Sequence, residues 1–235
     1  MRLMLAILAA CLSLGMSVTA EAGDHRANSL PGWEAVGRLN IAGKYMCTGT
    51  LIAPNLVLTA AHCVYDARTG RQVNPTGIRF EAGLDGRRVK ASRMATKAVV
   101  HPSYEYRAAG KNQLGHDLAV LRLASPISQA EVRPFGTAPA GGKGTNLNVL
   151  SYSYHNATRP SLEQGCQVIS QRTRLLVMSC QVDFGASGAP VLELRPGQSP
   201  RIVSVISSKA AMGRRPVSIS TTLDNTLQAM MRAAI

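Results

Sequence analysis

Leu58-Thr59-Ala60-Ala61-His62-Cys63 is the stretch on which the reading of this chain turns. The aliphatic and β-branched residues that lead to its histidine (Leu56-Val57-Leu58-Thr59) suit a half-buried pleated strand. Small residues then bring the chain to a histidine held beside a cysteine. Two other segments complement it. His116-Asp117-Leu118-Ala119-Val120-Leu121-Arg122-Leu123 places an acid at the mouth of an apolar strand, and Gly185-Ala186-Ser187-Gly188-Ala189-Pro190 flanks a serine with the glycines that tight turns need. A serine hydroxyl is a weak nucleophile until a neighbouring base takes its proton. Read together, the segments offer Ser187 as nucleophile, His62 as base and Asp117 as the group that orients the imidazole. The backbone N–H groups of Gly185 and Ser187 are placed to receive an oxyanion.

Outward from these segments, the apolar residues come in short runs with little helical periodicity. Strands are expected at 34–41, 46–52, 56–60, 77–83, 87–99, 118–123, 147–153, 164–170, 173–180, 189–194, 201–208 and 216–221. Pro54-Asn55, Arg68-Thr69-Gly70, Asp85-Gly86 and Pro196-Gly197 mark turns between them. This is an all-β plan. The Gly/Pro/Ala-rich stretch 134–145 reads as a linker between two halves, and only about Leu223 to Ala233 is helix-like, with Thr221, Thr222 and Asp224 at its start.

Arg2 followed by a nearly uncharged run to Thr19, then Ala20-Glu21-Ala22, reads as an export leader cut after Ala22 or Ala20. Ser13, Gly15, Ser17 and Thr19 dilute the run, which is short for an uncleaved membrane anchor. Leu8-Ala9-Ala10-Cys11 resembles a lipidation motif, but its cysteine sits early in the run. Export to a secreted or periplasmic location suits the four remaining cysteines, Cys47, Cys63, Cys166 and Cys180, which allow three pairings. The sequence-local choice, Cys47 with Cys63 and Cys166 with Cys180, closes loops of about 15 residues, each worth roughly 3 kcal/mol in the chain-entropy account. Zinc is disfavoured because there is no C-x-x-C pair and only His62 adjoins a cysteine.

At this point the chain resembles the trypsin/chymotrypsin-like serine endopeptidases. Cys47-Thr48-Gly49-Thr50-Leu51-Ile52 with Leu58 to Cys63 is similar to that family's histidine region, and Val100-His101-Pro102-Ser103-Tyr104 before Asp117 to Leu121 is similar to its aspartate region. The chain order His62, Asp117, Ser187 is also the family's, unlike that of subtilisins or α/β-hydrolases. Over residues 33 to 233 the resemblance implies two antiparallel six-stranded β-barrels with a cleft between them and a C-terminal α-helix. The expected division is a signal peptide at 1–22, an N-terminal segment or short propeptide at 23–32, a first barrel carrying His62 and Asp117 at 33–133, and a second carrying Ser187 at 134–235. Animal trypsins have Asp immediately before the nucleophile, where it pairs with the amino group freed by activation; here Ala186 stands there. That departure, with Cys166 and Cys180 shortly before Ser187, resembles the bacterial branch that includes glutamyl endopeptidases.

The resemblance puts the base of the substrate pocket six residues ahead of Ser187, at Gln181, and the substrate-pairing strand at Val203 to Ser208, with Ser207 the serine near the triad and Ser204 the other register. The strand has no histidine to imply glutamyl selectivity. His101 and His116 read as structural. Gly141-Gly142-Lys143-Gly144-Thr145 lacks phosphate-loop spacing, Asn156-Ala157-Thr158 fits a glycosylation acceptor, and no cofactor or metal motif is present. With 26 Lys+Arg against 13 Asp+Glu the net charge is +13, which favours anionic surfaces or acidic substrates. The basic groups lack interleaved aromatics, so no specific nucleic acid is expected. The sequence reading is therefore a monomeric exported serine endopeptidase acting on protein or peptide; its alternative is a catalytically silent homologue that binds a protein or anionic polymer.

Overall fold

The structure is a computed structural model that describes residues 25–107 and 111–235. The expected leader, with its expected cleavage after Ala22 or Ala20, and Cys11 lie outside the described residues.

In chain order the strands are β1 (His25–Arg26), β2 (Val36–Ile41), β3 (Tyr45–Ala53), β4 (Leu56–Thr59), β5 (Ile78–Ala82), β6 (Ala91–Val100), β7 (Ala119–Leu123), β8 (Gly136–Thr137), β9 (Asn146–Ser153), β10 (Asn156–Arg172), β11 (Leu175–Met178), β12 (Pro190–Glu193), β13 (Arg201–Met212) and β14 (Arg215–Thr222). A short helix α1 (Lys111–Leu114) precedes β7, and α2 (Thr226–Ala234) ends the chain. Strands β2-β3-β4-β7-β6-β5 close into one barrel. A second ring runs β9-β10-β11-β14-β13-β12 and closes through β12 on β9, with β1 added to β10 and β8 to β13. The fold is all-β, two closed six-stranded antiparallel barrels with a C-terminal helix.

Strand β5 shows why the chain takes this form. Ile78, Phe80 and Ala82 point into the barrel while Arg79 faces water, the period of two that a half-buried strand requires. The second barrel has its own interior, built from Leu147, Val149, Val168, Leu176, Met178, Val191, Val203 and Ile206 around Cys166 and Cys180. Leu150, Tyr152, Leu162, Leu192, Ile202 and Val205 turn the other way and join the core that contains the first barrel. At this joint Tyr152 is fully buried, and its hydroxyl donates to Leu84 O at 2.9 Å.

All twelve barrel strands overlap the stretches expected from the sequence; the main difference is β10, which begins at Asn156 rather than 164. Its first half, Asn156-Ala157-Thr158-Arg159-Pro160, shows no apolar alternation. It is held by pairing with β9, and the register shifts between Asn156 and Ser161, where Pro160 needs to donate no ladder hydrogen bond. The expected linker contributes Gly136 and Thr137, which pair in parallel with Arg201 and Ile202. Helix α2 returns to the first barrel, burying Leu227, Met230 and Ala234. Asp224 accepts the Thr226 N–H at its start. Lys97 and Arg122, directly opposite each other on β6 and β7, donate to the carbonyls of Ala233 and Ile235 at its end. The negative end of the helix dipole thereby offsets the repulsion between the two cations.

Candidate active site

Strand β4 runs antiparallel to β7 with Thr59 opposite Ala119, so the end of one and the beginning of the other share one rim of the first barrel. His62 follows β4 in a 3-10 turn, Ala61–Val64, and Asp117 precedes β7. That turn is tied to β3 by the Cys47–Cys63 disulfide. Asp117 meets His62 twice: the His62 backbone N–H donates to Oδ1 at 2.9 Å and Nδ1 lies 2.7 Å from Oδ2. The acid side chain is 3% exposed and the imidazole 32%. Burial pulls the His62 pKa down, but the charge of Asp117 and its hydrogen bond outweigh this and hold it above the ordinary imidazole value.

Ser187 arrives from the second barrel. Its turn is closed by Ala186 N–H to Asp183 O at 3.0 Å and Ala189 N–H to Ala186 O at 2.9 Å. Thr48 of β3 reaches across from the first barrel, its N–H donating to Ser187 O at 2.8 Å and its hydroxyl to Gly185 O at 3.0 Å. Gly188 is pressed against the same strands: a Cβ there would lie 2.1 Å from Thr59 Oγ1 and 2.2 Å from Thr48 O. The nucleophile candidate is thus seated beside the strand that delivers His62. Among the described residues, Ser187 Oγ makes no hydrogen bond, and His62 Nε2 has Cys63 Sγ at 3.9 Å. In ligand-free sites such bonds are often long and tighten when substrate binds. The N–H groups of Gly185 and Ser187 donate to no protein acceptor among the described residues, which leaves both for a ligand oxygen.

Ser207 is buried on β13 where the register with β14 shifts between Ile206 and Ser208. This irregularity sends its hydroxyl to Asp117 Oδ2, whereas Ser204 donates to Thr221 O at 2.8 Å and faces away from the site. Gln181 is exposed; its N–H donates to Glu163 Oε1 at 3.0 Å. Burial of Glu163 raises its pKa, an effect partly offset by that N–H. The pairing Cys166–Cys180 is also formed. His101 is buried, receives the Ser103 N–H and stacks on His116, an arrangement that serves packing. The His/Cys/acid groupings with metal-like proximity among the described residues, Cys47-His62-Cys63 and Glu163-Cys166-Cys180, each contain a disulfide, which leaves no thiolate to ligate. A cavity of about 480 Å³ lined by Trp33, Asp85, Asn156 and Arg159 includes none of the three triad candidates.

The Trypsin family profile matches residues 23–174. The chain belongs to the trypsin family. The match covers the segments of His62 and Asp117 and ends before Ser187. This trypsin-family chain is 29% identical over 167 residues to serine protease 23 of Mus musculus, covering 62% of this chain and 42% of that protein. It is 38% identical over 98 residues to chymotrypsin-like elastase family member 1 of Felis catus, covering 42% and 34%. It therefore spans less than half the length of these curated relatives. Among solved structures, a Glu endopeptidase in complex with MPD superposes with a TM-score of 0.72 at 22% identity, over 87% of this chain and 92% of that one. A thermostable serine protease, AL20, from an extremophilic microorganism superposes at 0.69 with 19% identity, over 88% and 98%. At these identities the superpositions speak to the shared two-barrel fold.

Four residues around the Ser187 turn carried no signal of their own in the sequence. Thr48 was visible only as part of the Cys47 motif, and Tyr154, Asp183 and Lys209 surround the Ser187 turn from separate segments. Among the described residues no helix is long and apolar enough to cross a membrane.

Proposed function

We propose that the protein is a serine endopeptidase, exported to a secreted or periplasmic location, that acts as a monomer on protein or peptide substrates. Ser187 Oγ attacks the scissile carbonyl while His62 Nε2 takes its proton. Asp117 fixes the Nδ1–H tautomer and stabilises the imidazolium. The N–H groups of Gly185 and Ser187 bind the carbonyl oxygen as it becomes an oxyanion, His62 returns the proton to the leaving amine, and water activated by His62 then hydrolyses the acyl-enzyme. The observation that carries this reading is the two-point grip of a buried Asp117 on His62, through Nδ1 and the backbone N–H together.

Export is supported by the leader-like residues 1–22 and by two disulfides. Residues 23–32 are assigned as the N-terminal segment or propeptide, and the barrels as 33–133 and 134–235. Ser207 is assigned to the substrate-pairing strand and Gln181 to the base of the pocket. Within the family, the neutral Ala186 and the likeness to a Glu endopeptidase structure favour the bacterial branch; glutamyl selectivity is not carried over.

Digestion of a peptide library tests the reading. Wild type is expected to cleave internal bonds and Ser187→Ala to lose cleavage. Equal cleavage by both, or none by the matured wild type, would favour the catalytically silent homologue instead.

A further inference from the structure

In relatives with an acid before the nucleophile, an internal ion pair orders the oxyanion turn. Ala186 is 1% exposed and has no carboxylate to offer, so the turn must be held from elsewhere. The peptide units show from where. A trans peptide points its N–H opposite its C=O, so whatever holds a carbonyl on one side aims the N–H on the other. The carbonyl of Ala186 is held by the Ala189 N–H, which aims the Ser187 N–H outward. The carbonyl of Phe184 is held by the Tyr154 N–H at 2.8 Å, which aims the Gly185 N–H outward. The first of these contacts lies within the turn itself. The second comes from the β9–β10 hairpin tip, and it lasts only as long as tip and turn stay together.

Side chains join the same two pieces. Asp183 Oδ1 accepts the Phe184 N–H at 2.8 Å and lies 3.2 Å from Lys209 Nζ; Oδ2 lies 2.8 Å from His155 Nε2. His155 follows Tyr154 on the hairpin tip, and Lys209 is two residues beyond Ser207 on β13. Lys209 Nζ also sits 3.7 Å from the centroid of the Phe184 ring, so one ammonium grips both residues that precede Gly185. The hairpin tip is anchored in turn, because the Tyr154 hydroxyl accepts the Met46 N–H at 3.1 Å. A single exposed ion pair is worth little, but here one carboxylate gathers three donors from three elements.

Resting on the peptidase reading above, we propose that Asp183 is a positioning residue: clasped by Lys209 and His155, it joins the hairpin tip to the nucleophile turn and keeps the Gly185 N–H aimed at the oxyanion. This clasp takes the place of the internal ion pair that Ala186 excludes. It acts through backbone orientation and touches no reacting atom.

The test compares full-length wild type, Asp183→Ala, Asp183→Glu and Lys209→Met with a peptide amide substrate and a peptide boronate as transition-state analogue. Asp183→Ala is expected to lose at least about tenfold in kcat with KM within about twofold, and to bind the boronate correspondingly more weakly, as partial loss of one oxyanion donor would require. Asp183→Glu should recover most of the loss. Lys209→Met, at a half-exposed site, should lose kcat in the same sense, and about 1 M salt should lower wild-type kcat while leaving Asp183→Ala unmoved. Unchanged kcat in both Asp183→Ala and Lys209→Met, or a rise in KM alone, overturns the proposal while leaving the peptidase reading intact. A wild type without Ser187-dependent turnover removes that reading and this inference together.

Discussion

Ser207 and His62 share one oxygen: the Ser207 hydroxyl, from the second barrel, donates to the same Asp117 Oδ2 that lies 2.7 Å from His62 Nδ1. With the His62 N–H on Oδ1, a buried carboxylate is held by three donors and both barrels have a stake in its position. Ser207→Ala removes one donor from a buried charge, an effect of about 1.5–3 kcal/mol for a charged hydrogen bond. Denaturant unfolding is expected to show that loss, with kcat reduced about tenfold; an unchanged midpoint would mean that Asp117 does not depend on Ser207.

The raised pKa of His62 has a defined sign in both rate and stability. A general base must be neutral, so kcat/KM rises with pH through the His62 pKa. Because Asp117 holds that pKa up, Asp117→Asn should move the acidic limb to lower pH while cutting the rate by roughly 10⁴. The folded-state value lies above the unfolded one. The stability contributed by the pair is therefore complete below the ordinary imidazole value and is lost as pH rises through the raised value. NMR titration of the His62 ring in both variants reads the shift directly; a value in Asp117→Asn equal to wild type would contradict the account.

Gly188 and Gly197 both have positive φ, +82° and +71°, but only Gly188 is crowded. Gly197→Ala meets nothing within 4 Å and should cost only the left-handed backbone, about 1–2 kcal/mol. Gly188→Ala would drive its Cβ into Thr59 and the Thr48 carbonyl and should cost at least about 3 kcal/mol, with Ser187 displaced. Thermal melts of the two variants side by side test this, and equal losses would show that the contact at Gly188 is unimportant.

The two disulfides differ in what they hold. Each closes a loop of comparable length, 16 and 14 residues in separation, so each should contribute about 3 kcal/mol. Only Cys47–Cys63 anchors the turn of His62. Replacing Cys47 and Cys63 with Ala should therefore reduce kcat per folded molecule more than replacing Cys166 and Cys180, as measured by turnover after correction for the folded fraction.

The barrel strands were legible because alternation such as Ile78-Arg79-Phe80 writes burial directly into the sequence. The histidine and aspartate segments were legible because each combines a strand end with a chemical residue. The first half of β10 was not, since Asn156 to Pro160 is strand through its partner rather than through its own pattern. The choice between Ser204 and Ser207 hung on a register irregularity, which no local pattern records. Gln181 was assigned to the pocket base from the family resemblance; the engagement of its backbone N–H by Glu163, 18 residues away in the chain, had no local signal. The clasp of Asp183, His155 and Lys209 was invisible for a plainer reason: its members come from three segments, and only the folded chain brings them together.

The central claim is that Ser187 is a nucleophile activated by His62. The most direct measurement is covalent labelling of the matured protein with a fluorophosphonate, located by mass spectrometry of the digested adduct, with Ser187→Ala and His62→Ala in parallel. The account predicts one phosphonyl group on Ser187 in wild type, none in Ser187→Ala and strongly slowed labelling in His62→Ala. Absence of a Ser187 adduct in folded, matured wild type, or equal labelling rates with and without His62, would contradict it.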